Sequence, residues 1–194
     1  MRADTRNICL INYGSNPAIV LGISGKKEVA PLPLIKRFSG GGTVVVDENT
    51  IFITFIFNKI DLDIQADPKA IMEWTEVIYS QVFPLFKLLD NDYVIGDKKF
   101  GGNAQYIKKD RWLHHTSFLW DYNPKYMEML SMPEKMPPYR HGRSHLDFIT
   151  PLKERFLHKQ EIGEALKKVL RGYFNVLLYE ETLLPPSRQS TQLI

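Results

Sequence analysis

Four short apolar runs fill most of the first sixty positions: ICLINY (8–13), AIVLGIS (18–24), TVVVD (43–47) and IFITFIF (51–57). Gly, Asn, Pro and Asp punctuate them, so they read as strands. TVVVD and IFITFIF are parted only by Glu48-Asn49-Thr50, which predicts a hairpin. A helix follows. Asp67 can accept from the free amides of a first turn, Pro68 suits the first helical position, and Ile71, Trp74, Ile78 and Val82 recur at three- and four-residue spacing until Pro84 stops them. From 92 to 120 the extended pattern returns, as a glycine-punctuated hairpin in DYVIGDKKFGGNAQYIK and a further strand in RWLHHTSFLW. SMPEKMPPYRHGRSH (131–145), with three prolines, reads as loop. A last helix spans about Gln160 to Tyr173, where Ile162, Ala165, Leu166, Val169, Leu170 and Tyr173 form one stripe that packs on a sheet. Strands in runs, with helices between the runs, define an α+β class with a mostly antiparallel sheet packed by helices.

A length of 194 residues suits one domain, here 1–184, followed by a tail at 185–194 expected to be disordered. Hydrophobic residues at 44% and charged ones at 24% exclude wholesale disorder. A net charge of +3, with no basic cluster, argues against a nucleic-acid or membrane surface. Cys9 is the only cysteine, so no disulfide can close within the chain, and a reducing intracellular compartment is the simpler expectation. The N-terminus lacks a signal or transit pattern, which leaves cytoplasm and mitochondrion both open. The longest apolar run, IFITFIF, is too short to span a bilayer.

The triple glycine in RFSGGGTVVVD is neither a P-loop nor a dinucleotide fingerprint, because the following Lys-Ser/Thr pair and the spacing are wrong. Two readings of Gly40, Gly41 and Gly42 stand side by side. Without a Cβ the backbone can take positive φ, approach a ligand closely and turn successive amides on an anion, with Arg37 and Ser39 adding a charge and a hydroxyl. Alternatively the glycines mark a bulge or tight turn. A second glycine-bearing segment, NDYVIGDKKFGGNAQ (91–105), places a lysine before Gly101-Gly102 and a carboxamide after them, and HHTSFL follows at 114–119.

Together these segments resemble the lipoate–protein ligases of the biotin/lipoate ligase superfamily, whose catalytic-domain fold the chain would share. The family's first motif, R-R-x-S-G-G-G-A/T-V-x-x-D, reads KRFSGGGTVVVD; its second, from the lysine, reads KFGGNAQ; its third, H-H-G-T-L-L, reads HHTSFL. The resemblance runs from about Pro17 to Leu119. It implies an ATP-dependent ligase that joins lipoate to AMP, releasing pyrophosphate, and passes the lipoyl group to a lysine of an acceptor domain. The implied substrates are lipoate or octanoate and ATP with Mg²⁺. The implied partners are lipoyl domains of 2-oxoacid dehydrogenase E2 subunits and the glycine cleavage H protein.

By the same resemblance Lys99 bridges the acyl carbonyl and the α-phosphate, and Gly40, Gly41, Gly42 and Thr43 lie against the acyl-adenylate. Arg37 and Ser39 line the pocket, with Arg37 suited to clamping a phosphate oxygen. Asn91 and Asp92 match the nucleotide-side pair, with Asp92 near Mg²⁺. Gly102, Asn103 and Ala104 complete the second motif beside the adenine or ribose. On an alternating strand only one of His114 and His115 can face the site; His115 is the candidate, and a plain strand histidine is the alternative.

Three positions depart from the pattern: Gly101 stands for a serine, Thr116 for a glycine, and Val46 where histidine is common. Family members usually open with a further helix and often carry a C-terminal accessory domain. This chain resembles the single-domain plant ligases, and on that resemblance the first helix is expected to be missing. The rival functions are a catalytically silent protein that binds acyl-AMP or lipoyl domains, and an octanoyl or lipoyl transferase working through Cys9. Biotin ligases are disfavoured because their G-R-G-R-x-x-W signature is absent.

Overall fold

The computed structural model describes residues 5–25, 31–133, 135–178 and 192–193. Its strands are β1 (Ile8–Tyr13), β2 (Ala18–Leu21), β3 (Leu34–Lys36), β4 (Val44–Val46), β5 (Thr50–Asn58), β6 (Phe86–Leu89), β7 (Asp92–Ile95), β8 (Lys98–Ile107), β9 (Arg111–Leu119) and β10 (Gln192–Leu193). The helices are α1 (Pro68–Tyr79), α2 (Pro124–Glu128), α3 (His145–Phe148) and α4 (Lys159–Arg171). Six strands form an antiparallel sheet in the order β1-β5-β9-β8-β7-β6. Four form a smaller sheet, β10-β3-β2-β4, in which only β2 and β3 run parallel. The α+β, mostly antiparallel architecture read from the sequence is the observed one.

The large sheet has two unlike faces. Partners across an antiparallel ladder point the same way and neighbours along a strand point oppositely. On one face Ile51, Ile53, Phe55 and Phe57 of β5 stand beside Phe118, Thr116, His114 and Trp112 of β9. This face is covered by Ile71, Met72, Ile78 and Tyr79 of α1 and Ile162, Leu166 and Leu170 of α4, forming the main core. Asp67 caps α1, its carboxylate accepting from the amides of Lys69 and Ala70 at 2.8 and 2.9 Å. The opposite face carries Phe52 and Thr54 of β5 and Leu113, His115 and Ser117 of β9, and this is the face that matters for function.

Several expectations are corrected. Residues 43–47 and 51–57 do not form a hairpin with each other: β4 pairs with β2 and β5 with β1 and β9, in different sheets. The tight link is real, with the Asp47 carboxylate accepting from the Asn49 amide at 2.8 Å. It turns a corner because its outer groups bond elsewhere, Gly14 N–H to Thr50 O and Trp120 N–H to Asn49 O. The first helix ends at Tyr79 and not at Pro84; a turn at Gln81–Phe83 follows it and tucks Val82 and Phe83 into the core. The segment read as loop at 131–145 contains a 3₁₀ turn, Pro138–Arg140, and the start of α3. Of the tail expected to be disordered, 185–191 and 194 lie outside the described residues. Gln192 and Leu193 instead pair with Lys36 and Ile35, filling the free edge of β3.

Candidate active site

Residues 37–43 link β3 to β4 and lie over the second face of the large sheet. Phe38 packs edge-on against Tyr106 of β8, centroids 5.2 Å apart. Gly41 has φ +103°, a conformation side chains resist, and a Cβ there would lie 3.1 Å from the Asn103 carbonyl and 3.8 Å from the Ala104 methyl. A side chain on Gly22 would run into the Gly41 carbonyl, so this loop is pressed between β2 and β8. Gly40 and Gly42 meet nothing within 4 Å on the side where a Cβ would point. The glycines thus make a tight turn against β8 at Gly41, with bare ribbon at its two neighbours. Gly41→Val is expected to lower binding of an acyl-adenylate analogue by at least about tenfold, because it adds bulk where β8 is closest and forbids the observed φ. Isothermal titration checks it; unchanged affinity refutes the cradle.

Arg37 holds this loop. Its guanidinium donates to the carbonyls of Gly40 (3.0 and 3.2 Å), Gly42 (2.7 Å) and Val20 (3.2 Å). Most of the Arg37 fork is therefore engaged by backbone carbonyls, with one Nη1 hydrogen and the charge left to the cleft. Burial lowers the basicity of that guanidinium from its ordinary value. Ser39 is buried, its carbonyl accepting from Ile23 N–H at 3.0 Å, and Thr43 is exposed at the loop's far end.

Lys99 reaches the same face through an irregularity in β8. Val94 of β7 is opposite Lys99 but Tyr93 is opposite Gly101, so Phe100 is one residue too many. Such a bulge re-aims side chains. Phe100 turns into the core, stacked on Phe118 at 5.5 Å, while the Lys99 ammonium lies 3.2 Å from where a Cβ on Gly102 would be. The departure at Gly101 has its reason here, since a Cβ there would lie 2.5 Å from the Phe118 ring. Gly102 and Ala104 are two apart on β8 and share a face, so the ammonium and the triple glycine lie over points about 7 Å apart. Lys99 and residues 40–42 meet on one surface.

The Lys99 ammonium pairs with Asp92 Oδ1 at 2.6 Å, and the Tyr139 hydroxyl donates to Asp92 Oδ2 at 2.8 Å. Burial, then the neighbouring Asp92 charge, hold the Tyr139 hydroxyl well above its ordinary value, so it remains a donor. Asn103 Nδ2 donates to the Asn91 carbonyl at 2.6 Å, fastening β8 to the turn that presents Asp92; the exposed Asn91 contributes its backbone. His115 is opposite Ala104, stacked on Phe52 with centroids 5.5 Å apart and bonded through Nδ1 to Thr54 Oγ1 at 2.6 Å. Burial, and after it the Arg37 charge, push His115 down to about 4. His114 faces the core, as alternation requires.

Two contributors escaped the sequence reading. Gly22 lay in a segment read as plain strand. Tyr139 lay in the supposed loop, where the three prolines were the visible signal.

Residues 1–173 match the lipoyl protein ligase A/B catalytic domain. The chain belongs to that family. It is 29% identical to inactive lipoate–protein ligase 2 of Plasmodium falciparum, across 79% of this chain and 51% of that protein. It is 35% identical to a probable lipoate-protein ligase A of Mycoplasma pneumoniae, across 59% of this chain and 34% of that protein. The chain thus spans about half or less of these relatives' lengths. Among solved structures it resembles lipoate-protein ligase A bound with ATP (TM-score 0.75, 16% identity, 94% of this chain and 78% of that one). It also resembles Plasmodium falciparum LipL1 in complex with lipoate (TM-score 0.64, 20% identity, 87% and 50%). At these identities the structures establish the shared fold.

Proposed function

We propose that the chain is an ATP-dependent lipoate–protein ligase: it forms lipoyl-AMP from lipoate and ATP and passes the lipoyl group to a lysine of a lipoyl domain. The observation that carries this reading is the placement of the Lys99 ammonium on the face of β8 that the triple glycine covers. In the first step a carboxylate oxygen of lipoate bonds to the α-phosphorus and the bond to the β-phosphate oxygen breaks, releasing pyrophosphate. Two anions must meet, so the demand is for fixed positive charge and orientation. Lys99 supplies the first at the non-bridging oxygens, with the half-buried Arg37 charge behind the loop; Gly40, Gly41 and Gly42 supply a surface against which the intermediate can lie flat. In the second step the acceptor amine bonds to the acyl carbon, AMP leaves, and the amine loses a proton. Lipoyl-domain partners are supported by related systems: one solved relative is a bi-partite ligase of Thermoplasma acidophilum described with its E2 lipoyl domain.

ATP enters such a reaction as its magnesium complex. Asp92, the candidate carboxylate for that ion, accepts at Oδ1 from Lys99 and at Oδ2 from Tyr139, and each oxygen keeps a second lone pair. Among the described residues no group of three or more His, Cys, Asp or Glu side chains is poised to hold a metal. Magnesium would therefore enter on the phosphates of ATP, with Asp92 as the single carboxylate placed to meet it.

A thioester route through Cys9 is disfavoured on geometry. Cys9 is opposite Phe55, on the core face of the sheet, and burial pushes its thiol up to about 12. A silent binding role is the second reading, favoured by the closed Lys99–Asp92 pair and by the name of the Plasmodium falciparum relative. The test is direct. Incubation with ATP, Mg²⁺, lipoate or octanoate and a lipoyl domain is expected to release pyrophosphate and add the acyl mass to the domain. Binding of an acyl-adenylate analogue without either product selects the silent reading.

A further inference from the structure

Asp92 is held from two sides by groups far apart in sequence, and the second of them is carried on an unusually braced segment. Arg143 donates to the Asp97 carboxylate at 2.8 Å, to the Asp97 carbonyl at 2.9 Å and to the Tyr139 carbonyl at 2.8 Å, tying the segment to the β7–β8 turn. The buried Arg140 donates to the Arg143 carbonyl at 2.9 Å and to His145 Nδ1 at 3.3 Å, with its guanidinium 4.7 Å from the Phe148 ring centroid. Arg143 lies 5.4 Å from the same centroid, and the Tyr139 ring packs on Phe148 at 5.2 Å. Just beyond, Thr150 N–H donates to the carbonyl of Lys99 itself at 2.9 Å. The segment thus grips both the backbone of Lys99 and, through Tyr139, the carboxylate that holds its side chain.

We infer that Tyr139 is a positioning residue for Lys99, acting through Asp92. This rests on the reading of Lys99 as the cation that meets the acyl-phosphate. A carboxylate with one free oxygen can rotate and embrace an ammonium with both; one whose Oδ2 already accepts from a tyrosine offers the lysine a single fixed oxygen. The tyrosine bond also withdraws charge from the carboxylate. Lys99 is thereby aimed but not locked, and can leave Asp92 for the more highly charged phosphate when substrate arrives. Without the hydroxyl, Asp92 takes the ammonium more tightly and in more than one orientation.

The reactivity of the Lys99 amine tests this with no need for substrate or turnover. Trace acetylation with acetic anhydride, read by mass spectrometry as the ratio of label at Lys99 to label at the exposed Lys87, is measured across pH. Tyr139→Phe keeps the ring on Phe148, and thermal unfolding verifies that it folds. Its Lys99 labelling is expected to fall about three- to tenfold at each pH, a part of what one hydrogen bond to a charged group is worth. Asp92→Asn is expected to raise labelling, and Tyr139→Phe added to Asp92→Asn to change nothing further. Lys99 labelling in Tyr139→Phe equal to or above wild type, or a further change in the double variant, overturns the inference. The expected labelling pattern in a protein that releases no pyrophosphate would leave the inference standing and sink the ligase reading alone.

Discussion

Lys99→Ala is expected to reduce lipoyl-AMP formation by a factor on the order of 10²–10³ while leaving the fold intact, the cost of about 2.7–4 kcal/mol that follows loss of one preorganised donor to developing charge. The selectivity of that loss comes from the bulge. Phe100 supplies the core contact at this point of β8, stacked on Phe118, and Lys99 supplies none, its side chain lying across Gly102 with about a quarter of its surface open. Truncation therefore leaves Asp92 with its Tyr139 bond and opens no cavity. Lys99→Arg is expected to rescue poorly: a planar fork is a bad substitute for a point charge, and Asp92 can grip it with two parallel bonds. ATP–pyrophosphate exchange with lipoate gives the rate, and circular dichroism the fold. Undiminished exchange in Lys99→Ala would remove Lys99 from the chemistry.

What the sequence could reveal of this site was its parts; what it could not reveal was how they meet. Motif spacing pointed to Lys99, the triple glycine and Asp92, and strand alternation correctly separated His115 from His114. Alternation alone fails at Lys99 itself. Counted back from Gly102 without the bulge, Lys99 would face the core and Phe100 the cleft; the extra residue corrects this, and it becomes visible only when the register with β7 is known. The same limit explains the misread corner at 47–50. Asp47, Asn49 and Thr50 carry good turn chemistry, but a turn does not say whether the strands it joins will pair, and here each pairs elsewhere, β4 with β2 and β5 with β1 and β9. Tyr139 was hidden for a third reason: in a proline-rich stretch no periodicity exists to read, and its role depends on Arg140 and Arg143 closing around Phe148. Arg37 illustrates a related case: spacing places it beside the triple glycine but does not show that most of its donors go to the backbone of that loop and of β2.

The stability of the protein is expected to fall steeply on acidification below pH about 6.5, through two adjacent histidines that the fold keeps neutral. His114 is enclosed in the core, where Gln105 Nε2 donates to its Nδ1 at 3.2 Å and its Nε2 meets the Tyr93 hydroxyl at 2.8 Å; Tyr93 in turn meets Thr75 Oγ1 at 2.9 Å, and Thr75 donates to the Met72 carbonyl at 2.8 Å. Every donor in this chain points the same way, so a proton on Nδ1 would confront the Gln105 amide. Burial, and after it His115, push His114 down to about 3, and His115 lies at about 4. Both native values are below the ordinary imidazole value near 6.5, so above that pH neither state binds a proton and the full stability is present. As pH falls from about 6.5 toward 4, the unfolded chain takes up two protons that the native state refuses. The pair then costs on the order of a few kcal/mol per pH unit, a large share of a typical margin of about 5–15 kcal/mol. His145, lowered chiefly by its own burial, adds in the same direction, whereas Asp47, raised by burial, opposes it. Urea unfolding at pH 8, 6.5, 5.5 and 5 measures the slope, and His115→Gln, which keeps a polar group near Thr54, is expected to remove about half of it. A stability that stays level between pH 7 and 5 would mean that these imidazoles are protonated in the native protein, and the enclosed donor chain from Gln105 to Met72 would then be wrong.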